Sequence, residues 1–450
     1  MDDQKVDNNS EHNIANFTDL HPSDIAHKLK KISKKNRERF YELLHKIPEV
    51  QLGEVLLELP ESLRDKAYKS LSHSQISHAI EELETDDATD IIQDIEEFDE
   101  KKANDILSSL DQEDQDDINW LKKYEEDEAG AYMQIELFSA NIDEKIQDSI
   151  DRFKILKQND ELENIHQVFI IDHNNTLLAT IGLEDLLTFD FTQKYSDILT
   201  QNIENRYKPF CVFGDDDIDE VIKYFENYNL SVVPVIGYKN RLLGRITADD
   251  IFDVMEHNAT EQMYQLAGVD DESEQEEELF QTGKKRASWL FINLFTAILA
   301  SMVIGFFDDT LKEFIALAIL MPIVASMGGN AGTQTLAVMV RQLALGDIDH
   351  NNSKDAIKKE VIIALSNGSI FAIALGLIAS LWFDNMMLGV VIALSMVITL
   401  FSAGFFGSII PLILKKLDID PAIGSTVLLT TVTDIMGFFS FLTLAKYILM

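Results

Sequence analysis

Five apolar runs follow Arg286, at roughly 288–307, 314–340, 357–383, 386–414 and 422–449. Each meets or exceeds the ~20 residues that a helix needs to cross ~30 Å of hydrocarbon. They are continuous, without the period-two alternation of a membrane β-barrel, so a closed barrel is excluded. Whatever else the chain does, its C-terminal part is expected to place five helices in a bilayer.

Charge divides the 450 residues as sharply as hydropathy does. From Lys284 onward there are 11 basic and 11 acidic residues, so residues 1–283 carry 66 of the 77 acids but only 27 of the 38 bases. The whole net charge of −39 lies in that front part. Such a surface repels nucleic acid, whose binding needs Lys and Arg on phosphates, and attracts cations. Cys211 is the single cysteine, so no internal disulfide forms. The polar, acidic start MDDQKVDNNSEHN does not read as a signal peptide.

Basic residues orient the spans. Lys284, Lys285, Arg286, Arg341, Lys354, Lys358, Lys359, Lys415 and Lys416 fall on one side, and only Lys312 and Lys446 on the other. The excess marks the cytoplasmic side. The acidic half is therefore expected in the cytoplasm, and an odd number of spans leaves the C-terminus outside.

Two features break the apolarity of the spans. The stretch PIVASMGGNAGTQT (322–335) puts a proline, three glycines and several amides and hydroxyls at membrane depth. Pro322 lies inside a span, where it is expected to bend or break the helix. Gly328 and Gly332 have the spacing of close helix packing. An asparagine and a glutamine need hydrogen-bond partners, however, so lining a polar path explains more: Ser326, Gly328 and Asn330 are the candidates. The second feature is Asp434, near the middle of the last run, with no basic residue close to it in sequence. A carboxylate there costs at least ~2.5–3.5 kcal/mol. It reads as a cation site, with Thr430, Thr431 and Thr433 adding oxygens. Oxygen donors suit Mg²⁺ or Ca²⁺ rather than soft metals. One carboxylate is a sparse set that suits a largely hydrated ion, and in a two-fold dimer two Asp434 side chains would neutralise one divalent cation.

In the acidic half, VFIIDHNNTLLATIGLEDLL (168–187) aligns without gaps to VPVIGYKNRLLGRITADDIF (233–252), with seven of twenty positions identical. Each copy reads as strand, turn at Asn175 or Lys239–Asn240, strand and helix, preceded by an amphipathic helix, and the two copies are expected to bury their sheet faces together. Upstream, over 17–125, polar breaks recur every 12 to 15 residues, which predicts an all-α superhelix of short hairpins. Asp87, Asp90 and Asp94 fall on one helix face there. The stretch from Asp249 reads as a helix, then an acidic linker, then the basic entry to the first span, a mechanical link between a sensor and the membrane.

These segments, taken together, resemble the MgtE family of magnesium channels over nearly the whole chain. DEAGAYM (127–133) is similar to the family's boundary before its first CBS domain, and the repeat to its CBS pair. PIVASMGGNAGTQT resembles the second-span signature, and DPA (420–422) with TTVTDIMG (430–437) that of the fifth span. The fold implied is a multi-domain membrane protein: a disordered stretch 1–16, an all-α cytoplasmic domain 17–128, α/β CBS domains 129–193 and 194–256, a plug helix and acidic linker 257–286 whose helix begins near 249, and a five-helix transmembrane domain 287–450.

The resemblance further implies a homodimeric, Mg²⁺-selective channel of the plasma membrane, gated by internal Mg²⁺. Asp434 matches the family's pore aspartate, Asn330 its pore-lining asparagine, and Thr430 a position whose backbone faces the ion. Asp217, Asp219, Asp249, Asp250, Asp253, Glu256 and Glu261 match acidic positions of the second CBS domain and plug helix. ATP is a possible ligand of the CBS pair. Asn229, His257, Asn258, Gln262 and Val427 depart from the family pattern, the first four replacing acids, which implies fewer or weaker regulatory sites. A proton- or Na⁺-coupled carrier, and a membrane-anchored nucleotide sensor without transport, are the alternative functions. No phosphate loop, catalytic triad or metal-hydrolase spacing points to an enzyme.

Overall fold

The computed structural model describes residue 17 and residues 20–159, 162, 164–201, 206–269, 279–348, 352–417 and 419–450. The expected disordered stretch 1–16 and most of the acidic linker, 270–278, lie outside the described residues. The chain forms two compact units, Met1–Glu256 and His257–Met450.

Among the described residues the first unit opens with seven helices: α1 Pro22–Ser33, α2 Arg37–Leu44, α3 Glu49–Leu57, α4 Glu61–Ser70, α5 His73–Glu81, α6 Thr85–Leu107 and α7 Gln112–Leu121. The expected breaks are capping sites. Asn36, Ser72 and Asp111 each accept a hydrogen bond from the first turn that follows, and Ser72 with Gln75 completes a capping box. A side-chain oxygen at this position satisfies one of the free N–H groups of the first turn. α6 is one helix by its ends, but Asp99 leaves helical geometry inside it. Apolar residues of all these elements except α7's polar face share one core, including Leu29, Phe40, Leu56, Tyr68 and Ile91.

The repeat follows. In the first copy β1 Ser139–Asn141 pairs parallel with β2 Gln167–Ile171, which pairs antiparallel with β3 Leu177–Gly182; α8 Ile146–Gln158 connects β1 to β2, and α9 Leu183–Leu186 and α10 Tyr195–Gln201 follow β3. In the second, β4 Val212–Phe213, α11 Ile218–Tyr228, β5 Val232–Ile236 and β6 Leu242–Thr247 repeat the topology, with order β4-β5-β6. The turn asparagines take positive φ, 63° at Asn175 and 56° at Asn240. Asparagine tolerates that left-handed region because its short amide bonds locally. The two sheets meet: Phe169 and Leu177 pack with Val232, Ile236 and Leu242, and the Leu242 N–H donates to the Asn175 carbonyl at 2.9 Å.

α12, Ala248–Leu266, runs on from β6 and carries the chain from the first unit into the second. There α13 Leu279–Gly305, α15 Ile315–Ala344, α16 Ser353–Trp382, α17 Met386–Lys416 and α18 Ser425–Leu449 contain five candidate spans, with the short α14 Asp308–Glu313 between the first two. Their outward faces are apolar and uncovered, as at Leu290, Phe291, Ile370 and Leu381. Of the bend or break expected at Pro322, the break is absent: α15 runs unbroken through it. Proline removes one hydrogen bond of the ladder, and neighbouring helices in a membrane unit allow the rest of the ladder to continue.

Candidate functional site

Two sets of residues matter, one in each unit. In the membrane unit α15 and α18 run antiparallel in a regular register. A Cβ on Gly332 would meet Leu429 at 3.1 Å, one on Gly328 would meet Thr433 at 3.6 Å, and one on Gly437 would meet Val324 at 3.4 Å. Each step of four residues down one helix is a step of four up the other. This register sets Asp434 at the level of Met327, between Ser326 and Asn330.

Gly328 is buried, and its missing side chain is filled by Thr399 of α17, whose Cγ2 would lie 2.7 Å from an added Cβ. In the single chain it serves the packing reading of this glycine: the three helices approach closely where no side chain stands. Gly407 of α17 packs the same way on the Gly332 carbonyl and Thr335. Ser326, Asn330 and Thr333 are exposed, on the face of α15 opposite these contacts. Among the described residues Asn330 Nδ2 donates only to Ser326 Oγ, at 3.5 Å. This polar stripe is bare in the single chain.

Asp434 is half-buried, and its carboxylate has no hydrogen-bond or ion-pair partner among the described residues. The threonines expected to assist it bond back to their own helix. Thr430 Oγ1 donates to the Thr426 carbonyl at 2.9 Å, Thr431 Oγ1 to Val427 at 2.6 Å and Thr433 Oγ1 to Thr430 at 3.1 Å. Thr433 is fully buried against α15. Thr430 is half-buried one turn before Asp434, on the same face of α18.

At the other end of α18, Thr426 Oγ1 donates to the Leu266 carbonyl at 2.9 Å. Leu266 also packs with Leu336, Val340, Ala422 and Leu429. The end of α12 is thus seated between α15 and α18, with Gly268 (φ 71°) so close to the Trp289 indole that a Cβ would overlap it.

In the first unit, acids of α6 face acids at the start of α12. Asp86 is buried with its Oδ1 unpartnered among the described residues. Asp87 is pushed up to about 8 by burial and then by the Asp250 charge, and Glu84 to about 7 by burial against the pull of Arg245. Asp250 is raised to about 6, although Thr247 Oγ1 donates to it at 2.6 Å and Gln134 Nε2 at 3.1 Å. Asp90 is also raised, by its crowded surroundings and by Asp94, yet its side chain keeps contact with water, which weakens both effects. Asp253 feels Glu58 of the helical domain as well as Glu256.

A buried cation faces the start of α6. Arg245 of β6 is 1 % exposed and pairs with Glu84 at 3.0 Å while donating to the Asn164 carbonyl at 3.1 Å. Glu136 accepts from the Thr85 hydroxyl nearby. Sequence reasoning missed Glu84, Asp86 and Arg245; the only available signal was the acidic run ETDD at the start of a helix.

The remaining sensor candidates are dispersed. Asp94 is held by Arg64 at 2.8 Å and accepts from the Tyr68 hydroxyl at 3.2 Å. Asp217 caps α11, accepting from the Asp219 N–H at 2.8 Å. Asp249, Asp253 and Glu256 are exposed on α12, and Glu261 accepts from Gln265 one turn on. Among the described residues no three acids, histidines or cysteines converge on a point that would hold a metal ion.

Comparison with known proteins bears on both sets. A family model described as "Divalent cation transporter" matches residues 321–444, the region holding both the polar stripe and Asp434. Models described as "MgtE intracellular N domain" and "CBS domain" match 20–127 and 197–257. The magnesium transporter MgtE of Enterococcus faecalis is 32% identical over 330 residues, 73% of this chain and 71% of that protein.

The chain belongs to the MgtE family.

MgtE of Thermus thermophilus is 27% identical over 434 residues, 96% of this chain and 94% of its own. Among solved structures, the cytosolic domain of the Mg²⁺ channel MgtE in complex with ATP matches 52% of this chain and 90% of its own, at 26% identity and a TM-score of 0.47. For an MgtE protein the architecture described above is the expected one: an all-α domain, a CBS pair and five membrane helices.

Proposed function

We propose that this chain is a Mg²⁺-selective channel of the plasma membrane that closes when cytoplasmic Mg²⁺ binds its acidic domains. The observation that carries the reading is the pairing of an unpartnered carboxylate, Asp434, with a bare polar stripe at the same depth of an apolar unit. Polar groups at that depth must meet protein or water. A second copy related by a two-fold axis would turn Ser326, Asn330 and both Asp434 side chains onto one water-filled path, so the homodimer is part of the proposal. Two carboxylates facing a hydrated divalent ion balance its charge without stripping its waters, which Mg²⁺ releases reluctantly.

The sensing half rests on the crowded acids of α6 and α12. Like charges there are held together at a cost that protons or divalent cations relieve. Asp217, Asp219, Asp249, Asp253, Glu256 and Glu261 extend the acidic surface, whereas Asp94 is largely committed to Arg64. When internal Mg²⁺ falls, repulsion loosens this arrangement, α12 shifts, and its seat on α15 and α18 opens. Moving from mostly open to mostly closed needs about 5.5 kcal/mol of differential binding, which several weak divalent sites together can supply. ATP at the CBS pair is retained as a modulator on the sequence resemblance alone. The cytoplasmic placement of the acidic half and the outer C-terminus follow from the basic loops.

Recording from planar bilayers containing the purified chain tests the reading. Unitary Mg²⁺ currents that vanish when millimolar Mg²⁺ is added to the side of the acidic domains are expected. Flux without unitary events, coupled to a proton or Na⁺ gradient, would make the protein a carrier.

A further inference from the structure

A cavity of about 230 Å³ opens between α15, α16 and α17, away from the bare stripe. Its polar lining is Gln334, Thr335, Glu360 and Asn367, and the rest is aliphatic, including Ala331 and Leu400. Glu360 is 7 % exposed, and its carboxylate has no hydrogen-bond or ion-pair partner among the described residues. Gln334 and Asn367 likewise have no side-chain partner among the described residues. Three polar side chains on two different helices thus line one space, Glu360 buried and Gln334 and Asn367 exposed at its rim. Thr335 and Glu360 are held there by packing: the Glu360 backbone carbonyl would lie 3.3 Å from a Cβ on Gly404, and Thr335 backs onto Gly407.

A carboxylate set in a mostly aliphatic cavity, with no ion-pair partner among the described residues, favours a cation beside it. The donor set is one carboxylate oxygen, two amide oxygens and a hydroxyl, which is oxygen chemistry for a hard cation. Tight capture of a bare ion would need more carboxylates. An ion that keeps part of its water shell needs room instead, at about 30 Å³ per water, and the cavity holds several. By the α15–α18 register the cavity lies one to two turns from the level of Asp434, toward the end of α15 that carries Arg341.

We propose that the cavity lined by Glu360, Gln334, Asn367 and Thr335 is a second binding site for a partly hydrated divalent cation, separate from Asp434. The ion's identity follows from the transport reading; the site itself follows from the unpartnered Glu360.

Crystals of the full chain grown with Mn²⁺ give the test through anomalous difference maps. A peak in the cavity is expected about 2 Å from a Glu360 oxygen, or about 4 Å through one water. Glu360→Gln, which keeps the shape and removes the charge, is expected to lose that peak and retain one beside Asp434. A wild-type map with a peak at Asp434 and none in the cavity overturns the inference, and so does a cavity peak of undiminished height in the variant. A cavity peak without one at Asp434 supports this site and overturns the pore reading; no peak at either overturns both. Should Glu360→Gln not crystallise, the wild-type map decides alone.

Discussion

The Thr426 hydroxyl donates a 2.9 Å hydrogen bond to the backbone carbonyl of Leu266, tying the first turn of α18 to the last residue of α12. That carbonyl is one of the four at a helix C-terminus that have no partner within the helix. Asp434 lies two turns further along α18. A single bond therefore couples the end of the connecting helix to the span that bears the proposed ion site.

Thr426→Val keeps the branched shape and removes the donor. The loss is expected to be about 1 kcal/mol, or roughly a fivefold change in the seating equilibrium. Hydrogen exchange of amides 263–268 should quicken by about that factor, and the Mg²⁺ concentration that closes the channel should rise in proportion. Unchanged exchange would mean that the apolar contacts of Leu266 hold the helix end without this bond.

Gly328→Ala tests the packing role assigned to this glycine. Its Cβ would lie 2.7 Å from Thr399 Cγ2, so α15 and α17 must separate or Thr399 must move. Overpacking of this kind costs about 1–3 kcal/mol. Gly329→Ala, where an added Cβ meets open space, is the control and should leave thermal stability in detergent nearly unchanged.

The acidic cleft predicts an inverted pH dependence for the first unit. Asp87, Glu84 and Asp250 have folded values of about 8, 7 and 6, above their ordinary range. Between about pH 4 and pH 8 the folded unit therefore binds more protons than the unfolded chain, and stability falls as pH rises through this window. In chelator, hydrogen exchange over α6 should accelerate from pH 5 to pH 8. Millimolar Mg²⁺ should reverse the change at pH 8 and have little effect at pH 5, where protons already neutralise the site. A stability that rises across the window would contradict the cleft's electrostatics.

Arg245→Met removes the buried cation that faces Glu84. Leaving Glu84 among Asp86, Asp87 and Asp250 without it is expected to cost about 3–5 kcal/mol. Limited proteolysis between α6 and the second CBS copy should become faster, and added Mg²⁺ should slow it again more strongly than in the wild type.

The parts of the fold that were legible in the sequence are those set by local pattern. Hydrocarbon thickness fixes the length of a span, so four of the five runs match their helices to within a few residues, while the first helix starts well before its apolar run because Lys284, Lys285 and Arg286 lie in its first turns. The repeat was legible because seven of twenty aligned positions are identical, among them the turn asparagines Asn175 and Asn240, which take positive φ. Asn229 shows the limit: it departs from the family's acid, yet here it ends α11 in the left-handed conformation (φ 51°), a place that suits asparagine. Glycine spacing alone could not say whether Gly328 faces water or Thr399, because both uses require a missing side chain. The Arg245–Glu84 pair joins residues far apart in sequence and leaves no local trace. Glu360 was hidden for another reason. It follows Lys358 and Lys359 and reads as part of a charged loop, and only the packing of three helices shows it buried.

The central claim is that the Asp434 carboxylate holds the passing ion. Mg²⁺ uptake into liposomes reconstituted with wild type or Asp434→Ala measures it most directly, with the oligomeric state of each checked in the same preparation. The account predicts loss of Mg²⁺ flux, or of its selectivity over Ca²⁺, with assembly unchanged. Selective uptake at the wild-type rate would contradict it.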